Sequence, residues 1–259
     1  MSASGSPTID AFTFVGESLF GYGQSATELL ARLDAVDIDG AIVCPVRPRD
    51  YHLAPANDLV AEATAGQARL VGLARVDPNR GEEALDELDR ALRTLHLRGL
   101  FLHPWEDHFR VNGSRVTALM QRCATLRAPV VIATGYPWLA EAAQVGEVAR
   151  RFPDVRIVMT HGGQINISGL GQADAFEVLR RHPNVSIETS GVYRQDFLED
   201  VATMLGAERV LFGSNSPLMD VRLEVERARW ARLPDAARQL VLGGNAQRIF
   251  KLGSSAPPS

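Results

Sequence analysis

Residues 68–104 read ARLVGLARVDPNRGEEALDELDRALRTLHLRGLFLHP, and this segment decides the fold. Its first and last parts are short apolar runs that each end at a proline-containing turn. Between them, Leu85, Leu88, Leu92 and Leu95 are spaced three, four and three residues apart, which indicates one face of an amphipathic helix. A strand, a helix and a second strand in this order predict a βαβ unit with parallel strands.

Similar units recur along the whole chain. Eight short apolar runs each end in a turn, and most of their starts lie roughly 25–30 residues apart, a spacing typical of a structural repeat. The runs begin at Thr8, Gly40, Ala68, Arg98, Pro129, Arg156, Val185 and Arg209. Helical patterns separate them. Eight strand–helix units in a chain of 259 residues predict a single-domain α/β protein, a (β/α)₈ barrel.

A doubly wound open sheet is the alternative fold. That fold places a glycine-rich GxGxxG turn directly after its first strand. The chain reads VGESLFGYG there, from Val15 to Gly23, and this segment does not match. We expect the barrel to span residues 8–252, with disordered tails at residues 1–7 and 253–259.

Composition and charge exclude several classes of protein. The net charge is -4 and the pI is about 5.9, so no basic surface predicts nucleic-acid binding. The longest nearly uncharged run, residues 157–173, is broken by glycines and polar residues, so we expect no membrane span. The start, MSASGSPT, lacks the features of a signal peptide. Cys44 and Cys123 lie far apart without CxxC spacing, which favours a cytoplasmic protein without a disulfide framework.

Polar side chains with catalytic potential follow several predicted strands. His103 ends the fourth strand and His161 ends the sixth, while Glu188 lies on the seventh and Asn215 follows the eighth. Active sites of (β/α)₈ barrels lie at the C-terminal ends of the strands. These four residues are therefore candidates for a common site, although alternation alone does not decide which way Glu188 faces.

Aromatic residues accompany them at the same strand ends. Phe12 and Phe14 alternate on the first strand and Phe101 precedes His103 by two residues, so their side chains point to one face of each strand. We expect the three rings to contact each other or a common pocket. Trp105 and Tyr136 lie in the loops after the fourth and fifth strands and can line the mouth of that pocket.

Seven motifs resemble, in order, those of the amidohydrolase-related family, in the amidohydrolase 2 group that also holds decarboxylases. They are IDAFTFVG, GLARVDP, GLFLHPW, PVVIATG, RIVMTHGG, IETSG and RVLFGSNSP. The closing LGGNAQRIF resembles the final helix of that family. The resemblance extends over roughly residues 8–252 and implies a barrel with metal-dependent hydrolase or decarboxylase activity. It also implies that His161, in THGG, matches the sixth-strand histidine of the family.

The resemblance further implies where the metal ligands of the family would stand. Members carry HxH on the first strand, HTG at the fifth and SDSP at the eighth. This chain has Phe12 and Phe14 in place of the two histidines, Ala133 in ATG and Asn215 in SNSP, and Phe101 stands at the lysine of the GLKLHP motif. A catalytic metal needs about three nitrogen, oxygen or thiolate ligands, and phenyl and methyl groups supply none. We therefore expect a divergent member with no metal site and no other cofactor.

Three functions remain open, of which the first two follow from this expectation. In the first, the chain is an enzyme that performs metal-independent acid–base chemistry (hydrolysis, decarboxylation, dehydration or cyclisation) on a small carbonyl or carboxylate compound. His161 would carry the proton and His103 and Asn215 would orient the substrate, while Phe12, Phe14, Phe101, Tyr136, Trp105 and Glu188 would line the binding site. In the second, the chain is a silent ligand binder or subunit, as a homodimer or paired with a metal-containing relative. The third is a residual mononuclear metalloenzyme.

Each candidate also has a purely structural interpretation. Phe12 and Phe14 can fill the barrel interior, and His161 and His103 can be hydrogen-bonded core residues. A buried Glu188 would need a partner, for which Arg194 or Arg209 is available in the sequence. Cys44 near a histidine could form a nucleophilic pair, but a buried cysteine is more often inert.

Overall fold

The computed structural model describes residues 6–164 and 169–252. Most of the tails expected at residues 1–7 and 253–259 lies outside these ranges, so their disorder stays a prediction. No helix in the described ranges is long and apolar enough to cross a membrane.

Strands occupy all eight positions that the sequence predicts. In chain order they are β1 (Ile9–Glu17), β2 (Gly23–Gln24), β3 (Gly40–Pro45), β4 (Leu70–Gly72), β5 (Ala74–Arg75), β6 (Leu100–Leu102), β7 (Val130–Ile132), β8 (Ile157–Met159), β9 (Val185–Glu188) and β10 (Val210–Leu211). β4 and β5 are one barrel position interrupted at Leu73. The short β2 lies antiparallel to β1 and is an addition to the barrel.

Helices connect the strands. They are α1 (Ala26–Asp34), α2 (Leu53–Thr64), α3 (Glu82–Arg93), α4 (Ser114–Leu126), α5 (Ala142–Arg151), α6 (Gly169–Arg181), α7 (Gln195–Asp200), α8 (Val221–Arg229), α9 (Asp235–Gln239) and α10 (Asn245–Phe250). Single turns of 3₁₀-helix occur at Pro78–Arg80, His161–Gly163 and Ala207–Arg209. Short π-helices, Val201–Gly206 and Leu240–Gly244, extend α7 and join α9 to α10.

The leucine periodicity of the opening segment becomes the buried face of α3. Leu88 and Leu92 are fully covered and Leu85 is partly covered by the core, while Leu95 packs just beyond the helix end. Glu82 and the other acidic residue of the first turn, with arginines in the last turn, complement the helix dipole. The predicted amphipathic helix is confirmed, whereas α2 was not predicted from the sequence.

The barrel closes between its first and last strands. Parallel pairing runs from β1 through β3 and β4, and from β5 through β10. The Ala11 N–H donates to the Phe212 carbonyl at 2.8 Å, the Asn215 N–H donates to the Phe12 carbonyl at 2.8 Å, and the Phe14 N–H donates to the Ser216 carbonyl at 2.9 Å. This seam completes a closed (β/α)₈ barrel, so the fold is the one predicted rather than an open sheet.

Asp10 reinforces the seam from inside the barrel. Its Oδ1 accepts hydrogen bonds from the backbone N–H groups of Ser214 at 2.9 Å and Phe12 at 3.2 Å. Its Oδ2 is buried without a hydrogen-bond partner in the described part of the chain. Burial raises the pKa of this carboxyl to about 7, with a smaller contribution from Glu188.

Apolar side chains form two layers. The outer layer lies between strands and helices and includes Leu29, Leu33, Leu88 and Leu92. The inner layer fills the barrel and contains Phe12, Phe14, Ile42, Cys44, Leu73, Phe101, Val131, Val158 and Leu211, with Ile249 and Phe250 of α10 packed onto it. The barrel interior is thus a packed core with polar groups concentrated near the C-terminal ends of the strands.

Candidate active site

An aromatic floor (Phe12, Phe14 and Phe101) lies at the C-terminal end of the barrel interior. The ring centroids of Phe12 and Phe14 are 5.0 Å apart, and Phe101 lies 5.7 Å from Phe12 and 5.6 Å from Phe14. The exposed fractions are 1%, 1% and 0%. The predicted contact between the three rings is confirmed, and the rings are part of the packed core of the barrel. Their role in binding a substrate stays a prediction.

His161 follows β8 and rests on this floor. Its ring centroid lies 5.9 Å from that of Phe12, and its backbone φ of 55° is in the left-handed region, which is uncommon for a residue other than glycine. Nδ1 lies 3.1 Å from the Ser190 carbonyl oxygen and 3.0 Å from Ser190 Oγ. Because a carbonyl oxygen only accepts, Nδ1 carries the proton of the neutral ring. Nε2 is then the free acceptor.

His103 follows β6 and has the opposite arrangement. The Glu106 N–H donates to its Nδ1 at 3.3 Å, so Nε2 carries the proton of the neutral ring. The His103 ring lies 5.8 Å from Phe101 and 5.4 Å from Tyr136, centroid to centroid. Burial lowers the pKa of His103 well below its ordinary value, and the charges of Arg75 and His161 lower it further. His103 is therefore a neutral donor at physiological pH.

Glu188 faces the barrel interior and is completely buried. It accepts hydrogen bonds from the backbone N–H groups of His161 and Ser190 and from the Ser190 hydroxyl. The expectation that Arg194 or Arg209 would be its partner is wrong. Arg194 pairs with Asp196 on the surface, and Arg209 donates to backbone carbonyls, so both guanidinium groups are engaged elsewhere.

Asn215 follows β10 beside the floor. Its backbone φ is 57°, and its N–H donates to the Phe12 carbonyl. The side chain is 6% exposed, and within the described residues its amide makes no hydrogen bond. This amide can donate to and accept from a ligand, but it does not take up a proton at ordinary pH.

Two aromatic residues border the site from the loops. Tyr136 is partly buried, and Trp105 stacks on it with centroids 5.8 Å apart and an interplanar angle of 8°. Burial raises the pKa of Tyr136 to about 12, so its hydroxyl stays protonated. Trp105 is 54% exposed. The pair links the histidine side of the floor to the outer surface.

A charged cluster beside the floor was missed from the sequence. Arg75, which is completely buried, donates to Asp107 Oδ2 at 3.0 Å and to Glu106 Oε2 at 2.7 Å. Arg47 pairs with the same Asp107, and Tyr22 donates to Glu106 at 3.2 Å. Arg75 also lies 5.5 Å from the centre of the Phe101 ring. The sequence contained one indication of this cluster: Arg75 follows Leu73 by two residues on an apolar strand, so both side chains point to the same face.

Among the described residues, part of the Arg47 guanidinium has no hydrogen-bond acceptor. Its side chain is only 7% exposed, and its Nε is buried without a hydrogen-bond partner among the described residues. Its contact with Asp107 uses Nη1, so the edge formed by Nε and Nη2 is unpaired within the same residues. This edge has the fork geometry that matches a carboxylate.

Cys44 lies in the inner apolar layer and is fully buried. Burial raises the pKa of its thiol well above the ordinary value. In the described part of the chain it makes no hydrogen bond to His103 or His161. The structure therefore favours the inert interpretation over a Cys–His nucleophile.

A closed (β/α)₈ barrel with polar side chains at the C-terminal ends of its strands has the arrangement in which barrel enzymes place their active sites. The sequence profile of the amidohydrolase family matches residues 18–252, and the chain belongs to that family. The matched range begins after β1, so Phe12 and Phe14 lie outside it.

Three relatives are decarboxylases. The gamma-resorcylate decarboxylase of Rhodococcus jostii (strain RHA1) is 26% identical, and the alignment covers 80% of this chain and 79% of the relative. The 5-carboxyvanillate decarboxylase of Sphingomonas paucimobilis shares the fold with a TM-score of 0.76 at 20% identity, covering 95% of this chain and 99% of that one. The dihydroxybenzoic acid decarboxylase of Polaromonas sp. JS666, crystallised with manganese and 2-nitroresorcinol, has a TM-score of 0.75 at 17% identity, covering 96% and 98%.

The side chains at the strand ends do not fit such a metal. Phe12, Phe14 and Ala133 offer no lone pair, and Asn215 offers a neutral amide. His161 Nδ1 and both Glu188 oxygens are already engaged. Among the described residues no group of three or more histidine, cysteine or acidic side chains is arranged to hold a metal ion. The donor set thus differs from what a catalytic divalent metal requires.

Proposed function

We propose that this chain is an enzyme that performs acid–base chemistry on a small planar carboxylate through its own side chains, with decarboxylation as the first reaction to test. One observation carries the proposal: His161 and His103 flank a common aromatic floor in opposite tautomers. His161 presents an acceptor at Nε2, and His103 carries its proton at Nε2, which lies 3.6 Å from Glu106 Oε1. An acceptor and a donor at the same aromatic floor are groups that proton transfer requires.

The surroundings of the two histidines favour a planar acid as substrate. The half-buried ring of Tyr136, which contacts His103 and stacks on Trp105, offers a flat apolar face to an aromatic or enolic compound. The relatives named above act on benzoic acids that carry hydroxyl or methoxyl groups, which supports the same substrate class here.

Decarboxylation assigns a separate task to each group. The bond between the ring carbon and the carboxylate breaks, CO₂ leaves, and the electron pair stays on the carbon, which takes up a proton. His161 Nε2 first takes up a proton from solvent, and the imidazolium that results is placed to give that proton to the carbon and return to the neutral ring. His103 is placed to donate from Nε2 to a substrate oxygen, and the Asn215 amide orients the substrate without exchanging a proton.

The test is CO₂ release from 2,6-dihydroxybenzoate and 5-carboxyvanillate. The protein is treated with a chelator, dialysed and assayed with the chelator present, with the Polaromonas enzyme, which was crystallised with manganese, as the comparison. We expect release that persists in chelator and is lost in His161→Asn. Release that appears only after manganese or zinc is added would overturn the metal-independent part of the proposal.

The second candidate function is a silent ligand binder or partner subunit. The observation that favours it is the tight filling of the barrel by the aromatic floor, whose exposed fractions do not exceed 1%. A pull-down of the tagged chain from its native host tests this candidate. A stoichiometric relative carrying HxH and SDSP, together with no turnover of either acid by the isolated chain, would replace the enzymatic proposal.

A further inference from the structure

Glu188 and Ser190 surround His161 with hydrogen bonds that fix its backbone and its ring. Glu188 Oε1 accepts from the His161 N–H at 2.6 Å and from the Ser190 hydroxyl at 2.7 Å. Glu188 Oε2 accepts from the Ser190 N–H at 2.7 Å. Three donors therefore satisfy a carboxylate that is 0% exposed, and they stabilise it without a cationic partner.

The direction of the serine hydroxyl decides whether Ser190 Oγ offers His161 Nδ1 a lone pair or a proton. Because the Ser190 hydroxyl donates to Glu188, its oxygen presents lone pairs to His161 Nδ1 at 3.0 Å. The Ser190 carbonyl, 3.1 Å from the same nitrogen, also only accepts. Both neighbours of Nδ1 are then acceptors, and the ring proton is held there.

The chain keeps room for this carboxylate. A Cβ at Gly213, just after β10, would lie 2.4 Å from Glu188 Oε2 and 3.2 Å from Phe12 Cβ. Any side chain at Gly213 would push the carboxylate away from Ser190. The glycine, the glutamate and the serine thus form one arrangement around His161, contributed by β9 and β10.

We infer that Glu188 and Ser190 are positioning residues that hold His161 in the Nδ1–H tautomer and leave Nε2 as the proton acceptor. The catalytic role of Glu188 and Ser190 rests on the proposed function. The tautomer of the His161 ring can be tested independently of the proposed function, because it is measurable without a substrate.

Replacing Glu188 by glutamine separates this role from simple packing. Glutamine has the same shape but offers one acceptor oxygen and one donor NH₂. Both oxygens of Glu188 accept from backbone N–H groups, so the NH₂ meets another donor in either orientation and the amide cannot keep all three contacts. The side chain then shifts, and the Ser190 hydroxyl, released from its acceptor, turns its proton towards His161 Nδ1. Nδ1 then becomes an acceptor and the ring proton moves to Nε2. In Glu188→Gln/Ser190→Ala the hydroxyl is absent, and the Ser190 position offers only its carbonyl, which restores the Nδ1–H tautomer.

The experiment is long-range ¹H–¹⁵N NMR of protein labelled at its six histidines at pH 8, with the His161 signals assigned by their loss in His161→Asn. We expect the Nδ1–H tautomer to predominate in the wild type and in Ser190→Ala. We expect the tautomer ratio to shift by about tenfold towards Nε2–H in Glu188→Gln and to return in the double variant. Ser186→Ala, on the same strand and buried, is the matched control and should leave the ratio unchanged.

Two results would overturn the inference. One is an Nε2–H tautomer in the wild type, which is decisive even if a variant fails to fold. The other is an unchanged ratio in a folded Glu188→Gln. If turnover is found, Glu188→Gln should lower kcat about tenfold or more with KM nearly unchanged. The expected tautomers without any turnover would uphold the positioning role and refute the proposed enzyme.

Discussion

His161 combines three features at one position: the end of a barrel strand, a left-handed backbone and a ring whose Nδ1 is engaged. We expect His161→Asn to lower any activity by about 10²-fold or more, because the group that transfers the proton is removed. The measurement is the steady-state rate of CO₂ release. Asparagine accepts left-handed backbone, so the far-UV circular dichroism should stay that of the wild type.

His96→Asn is the control for this prediction. His96 is exposed and has a φ of 59°, so it matches His161 in backbone conformation but lies away from the aromatic floor. Its replacement should leave the rate unchanged. Full activity in His161→Asn would instead make His161 a packing residue, and the proton carrier would then have to be sought elsewhere in the barrel.

The sequence predicted those residues of the candidate site that lie at the ends of strands. His103, His161 and Asn215 lie at strand ends, as expected. The partners of Glu188 were not predictable, because they are the backbone and hydroxyl of residues that only the folded chain brings together. Arg75 was missed for the same reason: its carboxylates come from the loop after the next strand.

At the scale of elements, the aromatic floor gives β1 and β6 a common apolar surface. Phe12→His should lower the free energy of unfolding by roughly 1–3 kcal/mol, since a polar ring would replace an apolar one without a hydrogen-bond partner. Urea denaturation measures this change. Phe20→His, at a phenylalanine that is 52% exposed, should change it by less than about 0.5 kcal/mol. An unaltered urea midpoint for Phe12→His would mean that the ring is not buried.

The sequence predicted every barrel strand but did not predict helix α2. Each predicted strand is a short apolar run because barrel strands are covered on both faces. α2 was missed because its buried positions are Leu53, Ala56, Asn57 and Val60, a face with little apolar contrast. Pro55 in its first turn reads as a loop signal in sequence, although proline is well tolerated at a helix start.

At the scale of the whole molecule, the donor set of the barrel mouth predicts the metal content. We expect less than a stoichiometric amount of manganese, zinc or iron after dialysis without chelator, because Phe12, Phe14 and Ala133 supply no ligands. Elemental analysis by plasma mass spectrometry measures this content, with the Polaromonas decarboxylase as positive control. About one metal ion per chain that withstands dialysis would contradict the prediction.

The stability of the molecule should depend on the charge of Asp10. Its pKa is raised to about 7 by burial, so the folded state holds this proton more tightly than the unfolded state. Its contribution to stability is full below the ordinary pKa of 3.8 and is lost as the pH rises through about 7. Between pH 5 and pH 8 the free energy of unfolding should fall by roughly 2–3 kcal/mol from this group.

Asp10→Asn isolates that contribution. The pKa of His103 is lowered, so its contribution to the free energy of unfolding increases as the pH rises towards the ordinary pKa of histidine. This contribution is the same in the wild type and in Asp10→Asn. The difference between wild type and variant in urea denaturation at the two pH values is therefore due to Asp10. Equal pH dependence in the two proteins would show that Asp10 titrates as it does in the unfolded chain.

The seam between β1 and β10 has a consequence for synthesis on the ribosome. Ser214 and Asp10, which are hydrogen-bonded across it, lie 204 positions apart. β1 therefore has no permanent neighbour on one side until translation has passed β10. Such contacts form late in folding, and in the meantime the edge of β1 is open to pairing with other nascent chains. We expect the chain to need protection from molecular chaperones until translation passes β10.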